Sequence, residues 1–198
     1  MDSLGIGILG SGKGSNCRAI LEAIQKGKVR AKAKLVGSDV KDAGILSVAK
    51  EFGVPAIYLE PGKWQTKLEP ATEERLVRHL KDAGVELVVL AGFMRIIKGP
   101  MLDAFPRRII NVHPSLLPKY PGRDAWAQAL AAGERVTGCT VHYVDVGIDT
   151  GEIISQREVA ILPNDTAESL HRRIQWAERE VFPEVVAALA REFSAERN

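Results

Sequence analysis

The first half of the chain alternates short apolar runs with longer segments in which apolar residues recur at helical spacing. The apolar runs predict five strands, at residues 6–9, 33–37, 56–59, 87–91 and 109–112. The segments between them predict helices at 16–26, 43–52 and 72–83. Strands that alternate with crossover helices form parallel sheets. The pattern therefore predicts an α/β fold, a Rossmann-like and mostly parallel twisted sheet with flanking helices.

The second half of the chain has a different sequence pattern. A proline-rich loop at 115–122 precedes a short predicted helix near 124–132. Two further predicted strands, at 138–144 and 152–160, are joined by a short link and are therefore expected to be antiparallel. A long helix is predicted over 166–193, capped by Asp165 or Thr166 and kinked or interrupted at Pro183. These elements predict an antiparallel carboxyl-terminal extension of the sheet.

Composition and charge narrow the functional class. The 198 residues are 45% hydrophobic and 26% charged, as in ordinary globular proteins. The net charge is +2, too small to indicate a nucleic-acid or membrane partner. Cys17 and Cys139 have no C-x-x-C spacing, which favours a reducing compartment over a zinc or redox site. Neither a signal peptide nor a run of about 18 apolar residues is visible, so we expect a cytoplasmic protein.

A glycine-rich loop at 10–16 follows the first predicted strand and opens the first predicted helix. Backbone N–H groups and the positive end of a helix dipole at such a turn can bind a phosphate. The loop lacks the serine or threonine that a P-loop carries after its lysine, and Ser15 or Asn16 replaces the third glycine of a dinucleotide fingerprint, although Asp39 could still serve a ribose. The loop predicts a phosphate site. The alternative is a tight turn that Ser15 or Asn16 caps.

An asparagine and a histidine lie two residues apart at the end of the fifth predicted strand. Asn111 and His113 therefore point to the same side, at the carboxyl end of the sheet, where open parallel sheets bind ligands. Pro114 ends the strand and fixes the following turn. The pair predicts a reacting site. The alternative is that Asn111 is a turn amide and His113 a hydrogen-bonded strand-end residue.

The acidic loop 144–151, between the last two predicted strands, supports that reacting site. Asp149 can reach back to His113, and a carboxylate beside an imidazole suits it to acid–base chemistry. The alternative is that Asp145 or Asp149 only makes an Asx turn. Asn, His and Asp together favour acyl transfer, in which an amine attacks a carbonyl and Asn111 and His113 stabilise the oxyanion while Asp149 takes the proton.

Motifs over nearly the whole chain resemble those of the folate-dependent glycinamide ribonucleotide formyltransferases. They are GSGKGSN at 10–16, VVLAGFMRII at 88–97, NVHPSLLPKYPG at 111–122, TGCTVHYVDVGIDTG at 137–151 and QWAEREVFP at 175–183. The resemblance implies one formyltransferase domain over 1–198, with a nucleotide- or phosphate-binding half at 1–100 and a catalytic and folate-binding half at 101–198. It implies formyl transfer from 10-formyltetrahydrofolate to the amine of glycinamide ribonucleotide, in purine biosynthesis, without metal or covalent intermediate.

The resemblance also assigns roles to residues. Catalysis would fall to Asn111, His113 and Asp149. The substrate phosphate would be held by Gly14, Ser15 and Asn16, and its ribose by Glu178. The folate pocket would be lined by Met94, Arg95, Ile96 and Ile97, with Lys67 as the partner of the folate glutamyl carboxylate. Lys67 is chosen because Glu69 stands where a typical member has the arginine that makes this contact.

Several positions depart from the family pattern. Asp39 stands where an asparagine is common, and Arg123 to Trp126 replace histidines that often follow PKYPG. His142, on a predicted strand beside the acidic loop, is expected near the site, whereas His79 and His171 are expected at the surface. His142 and His113 lack a third ligand at zinc spacing, so we expect no metal. Segment 60–71 has the composition of a mobile lid.

Other functions remain open at this point. A nucleotide-binding module, such as part of an NAD-dependent dehydrogenase, would use the same glycine loop, and a catalytically inactive homologue would keep only an interaction surface. The related methionyl-tRNA formyltransferases and formyltetrahydrofolate hydrolases carry an additional domain, for which we expect no room in this chain. The partners we expect are the two small-molecule substrates. The sequence leaves a homodimer open.

Overall fold

The computed structural model describes residues 3–196, which form seven strands and six helices. The strands are β1 (Leu4–Leu9), β2 (Ala31–Ser38), β3 (Ala56–Tyr58), β4 (Leu87–Leu90), β5 (Ile109–His113), β6 (Val136–Tyr143) and β7 (Ile153–Ala160). The helices are α1 (Ser15–Gln25), α2 (Gly44–Glu51), α3 (Pro70–Asp82), α4 (Gly99–Ala104), α5 (Ala125–Ala131) and α6 (Ala167–Glu196).

All seven strands belong to one sheet, in the order β3-β2-β1-β4-β5-β6-β7. The pairs from β3 to β5 are parallel, whereas β6 is antiparallel to both β5 and β7. The predicted α/β fold with an antiparallel carboxyl-terminal extension is therefore confirmed. Because chain order reverses between β1 and β4, the loops that follow β1, β4 and β5 meet at one edge of the sheet, the usual ligand crevice of such folds.

The central strands are buried on both faces. On one face Leu87 and Val89 of β4 pack in a cluster with α1, α2 and α6, and on the other Val88 and Leu90 pack with α3 and α4. Their continuous apolar sequence is explained by this double cover. The two clusters hold the strand ends rigid, which gives the loops at the carboxyl edge a fixed base.

Two helical features differ from the sequence predictions. Helix α4 was not predicted, because it has only six residues and only Met101 among them is buried, too little for a periodic signal. Of the kink or interruption predicted at Pro183, the interruption is wrong, because α6 runs on through this residue. Phe182 and Val186, on either side of the proline, are fully buried, so packing outweighs the one backbone hydrogen bond that a proline removes.

The start of α6 follows the sequence prediction. Thr166 Oγ1 accepts the backbone N–H of Ser169 at 3.1 Å, and Ser169 Oγ accepts the N–H of Thr166 at 3.0 Å, a reciprocal cap. Asp165 pairs with Arg173 about two turns further on, which fixes the entry of the chain into the helix. None of the helices within residues 3–196 has the length and apolar character of a membrane span.

Candidate active site

A cavity of about 330 Å³ opens at the carboxyl ends of β4 and β5. One wall is formed by residues 92–97 after β4, the base by residues 111–114, and the opposite wall by the 144–149 loop. Met94 and Ile148 are 68% and 53% exposed at its mouth, although both are apolar. Exposed apolar side chains around a concave site mark a ligand surface.

The three residues predicted to react lie together in this cavity. The Asp149 carboxylate is 3.2 Å from His113 Nδ1 through Oδ2, and its Oδ1 is 3.5 Å from Asn111 Nδ2. Asn111 and His113 are on the same side of β5, as the strand spacing predicts, and Asp149 comes from the loop between β6 and β7. Residues 38 and 36 positions apart in the chain thus form one cluster, which we call the Asp149 cluster.

His142 is a fourth member of the Asp149 cluster. It pairs with Asn111 across the β5–β6 ladder, and its Nε2 lies 3.2 Å from Asn111 Nδ2 and 3.5 Å from Asp149 Oδ1. Its Nδ1 is 2.8 Å from the Tyr143 carbonyl oxygen, an acceptor, so Nδ1 carries the proton and donates. In the neutral ring Nε2 is then free to accept the Asn111 amide. The expectation that His142 lies near the site is confirmed.

The surroundings of Asp149 favour the ionised form of its carboxylate. Burial alone would raise its pKa, but the His142 and His113 rings and the Gly122 N–H, which donates to Oδ2 at 2.9 Å, together hold the pKa below its usual value. Asp149 has φ 54°, a left-handed conformation that Asp adopts more readily than most residues. In the same loop Asp145 accepts the N–H of Gly147 in an Asx turn, whereas Asp149 makes contacts with three other segments.

Both ring nitrogens of His113 are engaged by the protein. Nε2 lies 2.9 Å from the Tyr120 carbonyl oxygen and Nδ1 faces Asp149, so only the doubly protonated ring donates to both. Burial lowers the pKa of His113, while the Asp149 charge and the Tyr120 carbonyl raise it and offset part of that effect. The Nδ1 proton is therefore held less firmly than in free histidine, in direct contact with a carboxylate.

Residues predicted to line the folate pocket form the 92–97 wall. Met94, Arg95, Ile96 and Ile97 all border the cavity. The Arg95 guanidinium, however, is already committed: Nε donates to Asp39 at 2.6 Å and Nη1 to the Trp64 carbonyl at 2.6 Å. Asp39 is itself buried and also accepts Ser11 Oγ, so it is not free to serve a ribose as the dinucleotide alternative requires.

Lys67 does not border the cavity. Its backbone forms a bridge with Ile96, and its ammonium lies over the Trp64 ring at 4.2 Å from the ring centre. The neighbouring Glu69 folds back and accepts the N–H of Lys63 at 3.1 Å. Lys67 is thus an exposed cation behind the 92–97 wall.

The glycine loop presents an open helix N-terminus. Gly14 is the N-cap of α1 with φ 81°, and a Cβ there would lie 2.7 Å from the Ile45 Cα, so no larger residue fits. No side chain caps the helix, and the alternative that Ser15 or Asn16 does so is wrong. The first N–H groups of α1 therefore keep the capacity to bind an anion.

Asn16 and Glu178 meet beside this loop. Asn16 Nδ2 donates to Glu178 Oε2 at 2.9 Å, joining α1 to α6, and both residues are buried. The Asn16 Oδ1 atom is buried without a hydrogen-bond partner. Burial raises the pKa of Glu178 to about 7, although the Asn16 amide and Arg179 lower it. An unsatisfied amide oxygen beside a carboxyl group is suited to a polar ligand, since buried polar atoms normally have partners.

Sequence reasoning missed two parts of the site. The Tyr120 carbonyl and the Gly122 N–H, which hold His113 and Asp149, are backbone groups and leave no residue-type signal. Trp126 lines the cavity and stacks on His171 of α6, with ring centres 3.6 Å apart and planes 3° from parallel. His171 is thus partly covered by this stack and not fully exposed. Within residues 3–196, no three His, Cys, Asp or Glu side chains form a metal-ligand group.

Comparison with known proteins identifies the family. Residues 5–186 match the family described as formyl transferase. The phosphoribosylglycinamide formyltransferase of Bacillus subtilis (strain 168) is 41% identical over 182 residues, which are 92% of each chain. A crystal structure of glycinamide ribonucleotide transformylase 1 from Symbiobacterium toebii is 43% identical and superposes with a TM-score of 0.92 over 96% of this chain and 89% of that one.

A longer relative matches as well. The trifunctional purine biosynthetic protein adenosine-3 of Drosophila pseudoobscura pseudoobscura is 44% identical over 187 residues, which are 93% of this chain. The chain spans only 14% of the length of that protein. The match of one family over most of the sequence, together with the shared fold, leads to one conclusion: the chain belongs to the formyl transferase family.

Proposed function

We propose that this chain transfers the formyl group of 10-formyltetrahydrofolate to the amino group of glycinamide ribonucleotide, yielding formylglycinamide ribonucleotide and tetrahydrofolate in purine biosynthesis. The observation that carries the proposal is the convergence of Asn111, His113 and Asp149 at the base of a cavity whose lining is mainly apolar. The names of the Bacillus and Symbiobacterium relatives support the choice of substrates. Two free, buried cysteines support a reducing, cytoplasmic setting.

The cavity suits the formyl donor. A folate ring is flat and apolar, with hydrogen-bonding groups along its edge. The apolar side chains of Phe93, Met94 and Ile97 would cover its faces, and main-chain groups of the 92–97 wall that the protein leaves unused would pair with its edge. The formyl group would then project towards Asn111. Lys67 is our candidate partner for the glutamyl carboxylate, because it is an exposed cation behind this wall.

The glycine loop suits the formyl acceptor. The free N–H groups at Gly14, Ser15 and Asn16 would hold the phosphate. Glu178 and the unpartnered Asn16 Oδ1 would accept hydrogen bonds from the ribose hydroxyls. Phosphate and ribose contacts at the start of α1 would direct the amine of the substrate towards the Asp149 cluster.

The reaction requires no covalent enzyme intermediate. The amine nitrogen attacks the formyl carbon, forming a C–N bond and an oxyanion, and the bond from carbon to N10 of the folate then breaks. The Asn111 amide would donate to the oxyanion. His113 would help to stabilise that oxygen through its ring, which Asp149 and the Tyr120 carbonyl hold in place.

Proton transfer would fall to Asp149. Its lowered pKa keeps it ionised at neutral pH, so it can accept the proton that the attacking amine loses, directly or through water. N10 of the folate gains a proton as it leaves, so the net reaction moves one formyl group and no net proton. The His113 and His142 rings contact Asp149 and would share the proton that it takes up.

The experiment is a steady-state assay of purified protein with 10-formyltetrahydrofolate and glycinamide ribonucleotide, following tetrahydrofolate. We expect turnover in the wild type and a loss of about 10²-fold or more in kcat for Asp149→Asn, the usual range for a general base. The matched control is Asp103→Asn, an exposed position on α4, which should retain full activity. Absence of turnover by folded wild-type protein would contradict the proposal.

A further inference from the structure

The Asp39 carboxylate lies at the centre of a buried network outside the Asp149 cluster. Its side chain is 2% exposed, and each of its oxygens has a partner: Oδ2 accepts Arg95 Nε at 2.6 Å and Oδ1 accepts Ser11 Oγ at 2.5 Å. Arg95 is itself only 14% exposed. A buried ion pair with both oxygens satisfied is strongly held, and removing one partner is costly.

The Ser11 branch of this network ties two loops together. Ser11 Oγ donates to Asp39 and accepts the Met94 N–H at 2.9 Å, and the Ser11 N–H donates to the Gly92 carbonyl at 2.9 Å. The glycine loop after β1 is therefore joined to the 92–97 wall by two hydrogen bonds. Because the Ser11 hydroxyl donates its proton to Asp39, the lone pairs of its oxygen have a fixed direction, and one of them accepts the Met94 N–H.

The Arg95 branch extends the network to a third segment. Nη1 donates to the backbone carbonyls of Trp64 and Gln65, and the Ile96 N–H donates to the Thr66 carbonyl at 2.8 Å. Segment 64–66 thus lies along the back of the 92–97 wall. Without Asp39, the Arg95 guanidinium would keep these contacts with no opposing charge, and its orientation would be set by segment 64–66 alone.

We propose that Asp39 is a positioning residue for the formyl donor. By holding Arg95 on one oxygen and Ser11 on the other, it fixes the main chain of residues 94–96, which pairs with the folate edge. The proposal rests on the proposed function, since it assumes that the folate occupies this cavity. Asp39 does not line the cavity, yet by this proposal it contributes to the affinity for the formyl donor.

A carboxylate is the group this position needs. Arg95 and Ser11 both donate, from two directions, and an ionised Asp accepts on both oxygens. An Asn has one acceptor oxygen; with that oxygen turned towards Arg95, its NH₂ would face Ser11, and the Ser11 hydroxyl would lose the acceptor for its proton. Asp39→Asn therefore keeps the size of the side chain and removes one branch of the network.

The test measures the dissociation constant for folic acid, an unreactive probe, by fluorescence titration of the intact protein. For Asp39→Asn we expect affinity about tenfold weaker, the size of one lost hydrogen bond to a charged group, with the same rise in KM for 10-formyltetrahydrofolate and kcat within about twofold. Ser11→Ala, a milder change, should weaken binding less. The control is Asp42→Asn, the same charge change at an exposed position three residues away, which should bind as wild type does.

A double-mutant cycle identifies the route. If Asp39 acts through Arg95, Asp39→Asn added to Arg95→Gln should weaken binding by less than it does in the wild type. If Asp39 had a merely structural role, Asp39→Asn would lower Tm and kcat and leave the affinity for folic acid unchanged, and this result would overturn the proposal. Additive effects of the two substitutions in the cycle would overturn it as well. Wild-type protein that binds folic acid without formyl transfer would count against the proposed function alone, whereas failure to bind folic acid would overturn both.

Discussion

Glu178→Gln is the substitution whose effect on stability can be worked out most fully from the structure. Burial raises the pKa of Glu178 from 4.5 to about 7, so the folded protein keeps this proton at pH values where the unfolded chain has lost it. The stabilisation is complete below the unfolded pKa and is lost as pH rises through the folded one. A difference of about 2.5 units corresponds to about 3 kcal/mol, at about 1.4 kcal/mol per unit.

Glutamine keeps the shape of the protonated side chain and cannot ionise. We therefore expect the free energy of unfolding of the wild type to fall relative to that of Glu178→Gln by about 2–3 kcal/mol between pH 5 and pH 8. Urea unfolding of both proteins at several pH values, without substrate, measures the difference directly. Taking the difference cancels the titration of all other groups that the substitution leaves unchanged.

The matched control is Glu192→Gln, an exposed position further along α6. It removes the same charge, so its stability should follow the wild-type pH dependence. Parallel curves for wild type and Glu178→Gln would refute the reasoning, because they would mean that Glu178 ionises in the folded protein as readily as in the unfolded chain. A difference that grows towards low pH would have the wrong sign and refute it as well.

The remaining predictions concern turnover, thiol reactivity and fluorescence. His113→Ala should lower kcat by about 10²-fold or more, with His79→Ala, at an exposed helix position, as the unaffected control in the same kinetic assay. Since His113 is only 4% exposed, urea unfolding should also show a loss of about 1–3 kcal/mol. Cys17 and Cys139, with pKa values raised by burial to about 12, should resist a thiol reagent at pH 8 and react once urea unfolds the chain. Trp126 borders the cavity, so folic acid should change the protein's fluorescence, and Trp126→Phe should reduce that change.

The convergence of the three residues that we propose to be catalytic could be predicted because local sequence fixes their placement. Asn111 and His113 share a side of β5 by strand alternation, and Pro114 marks the strand end. Asp149 lies in a short loop between two predicted strands, which limits where its side chain can reach. In each case the signal is a polar residue next to an element boundary, and the boundary itself follows from the apolar pattern.

Contacts between distant segments could not be predicted in the same way. Asp39 and Arg95 are separated by 56 residues, and Trp126 meets His171 across 45. Each contact depends on the order of the strands and on the path of α6, which no local pattern specifies. The burial of His113 belongs here too: no local pattern indicates it, and it arises where the 115–122 loop folds back and the Tyr120 carbonyl contacts the ring.

The account depends on direct transfer of a formyl group at the Asp149 cluster. The measurement that tests it most directly is a single-turnover experiment with excess enzyme, 10-formyltetrahydrofolate labelled with ¹³C in the formyl group, and glycinamide ribonucleotide, analysed by mass spectrometry of both small molecules and protein. We predict that the label appears in formylglycinamide ribonucleotide at the rate at which tetrahydrofolate forms, with none on the protein. Labelled protein, or tetrahydrofolate formed with release of labelled formate instead, would contradict the account.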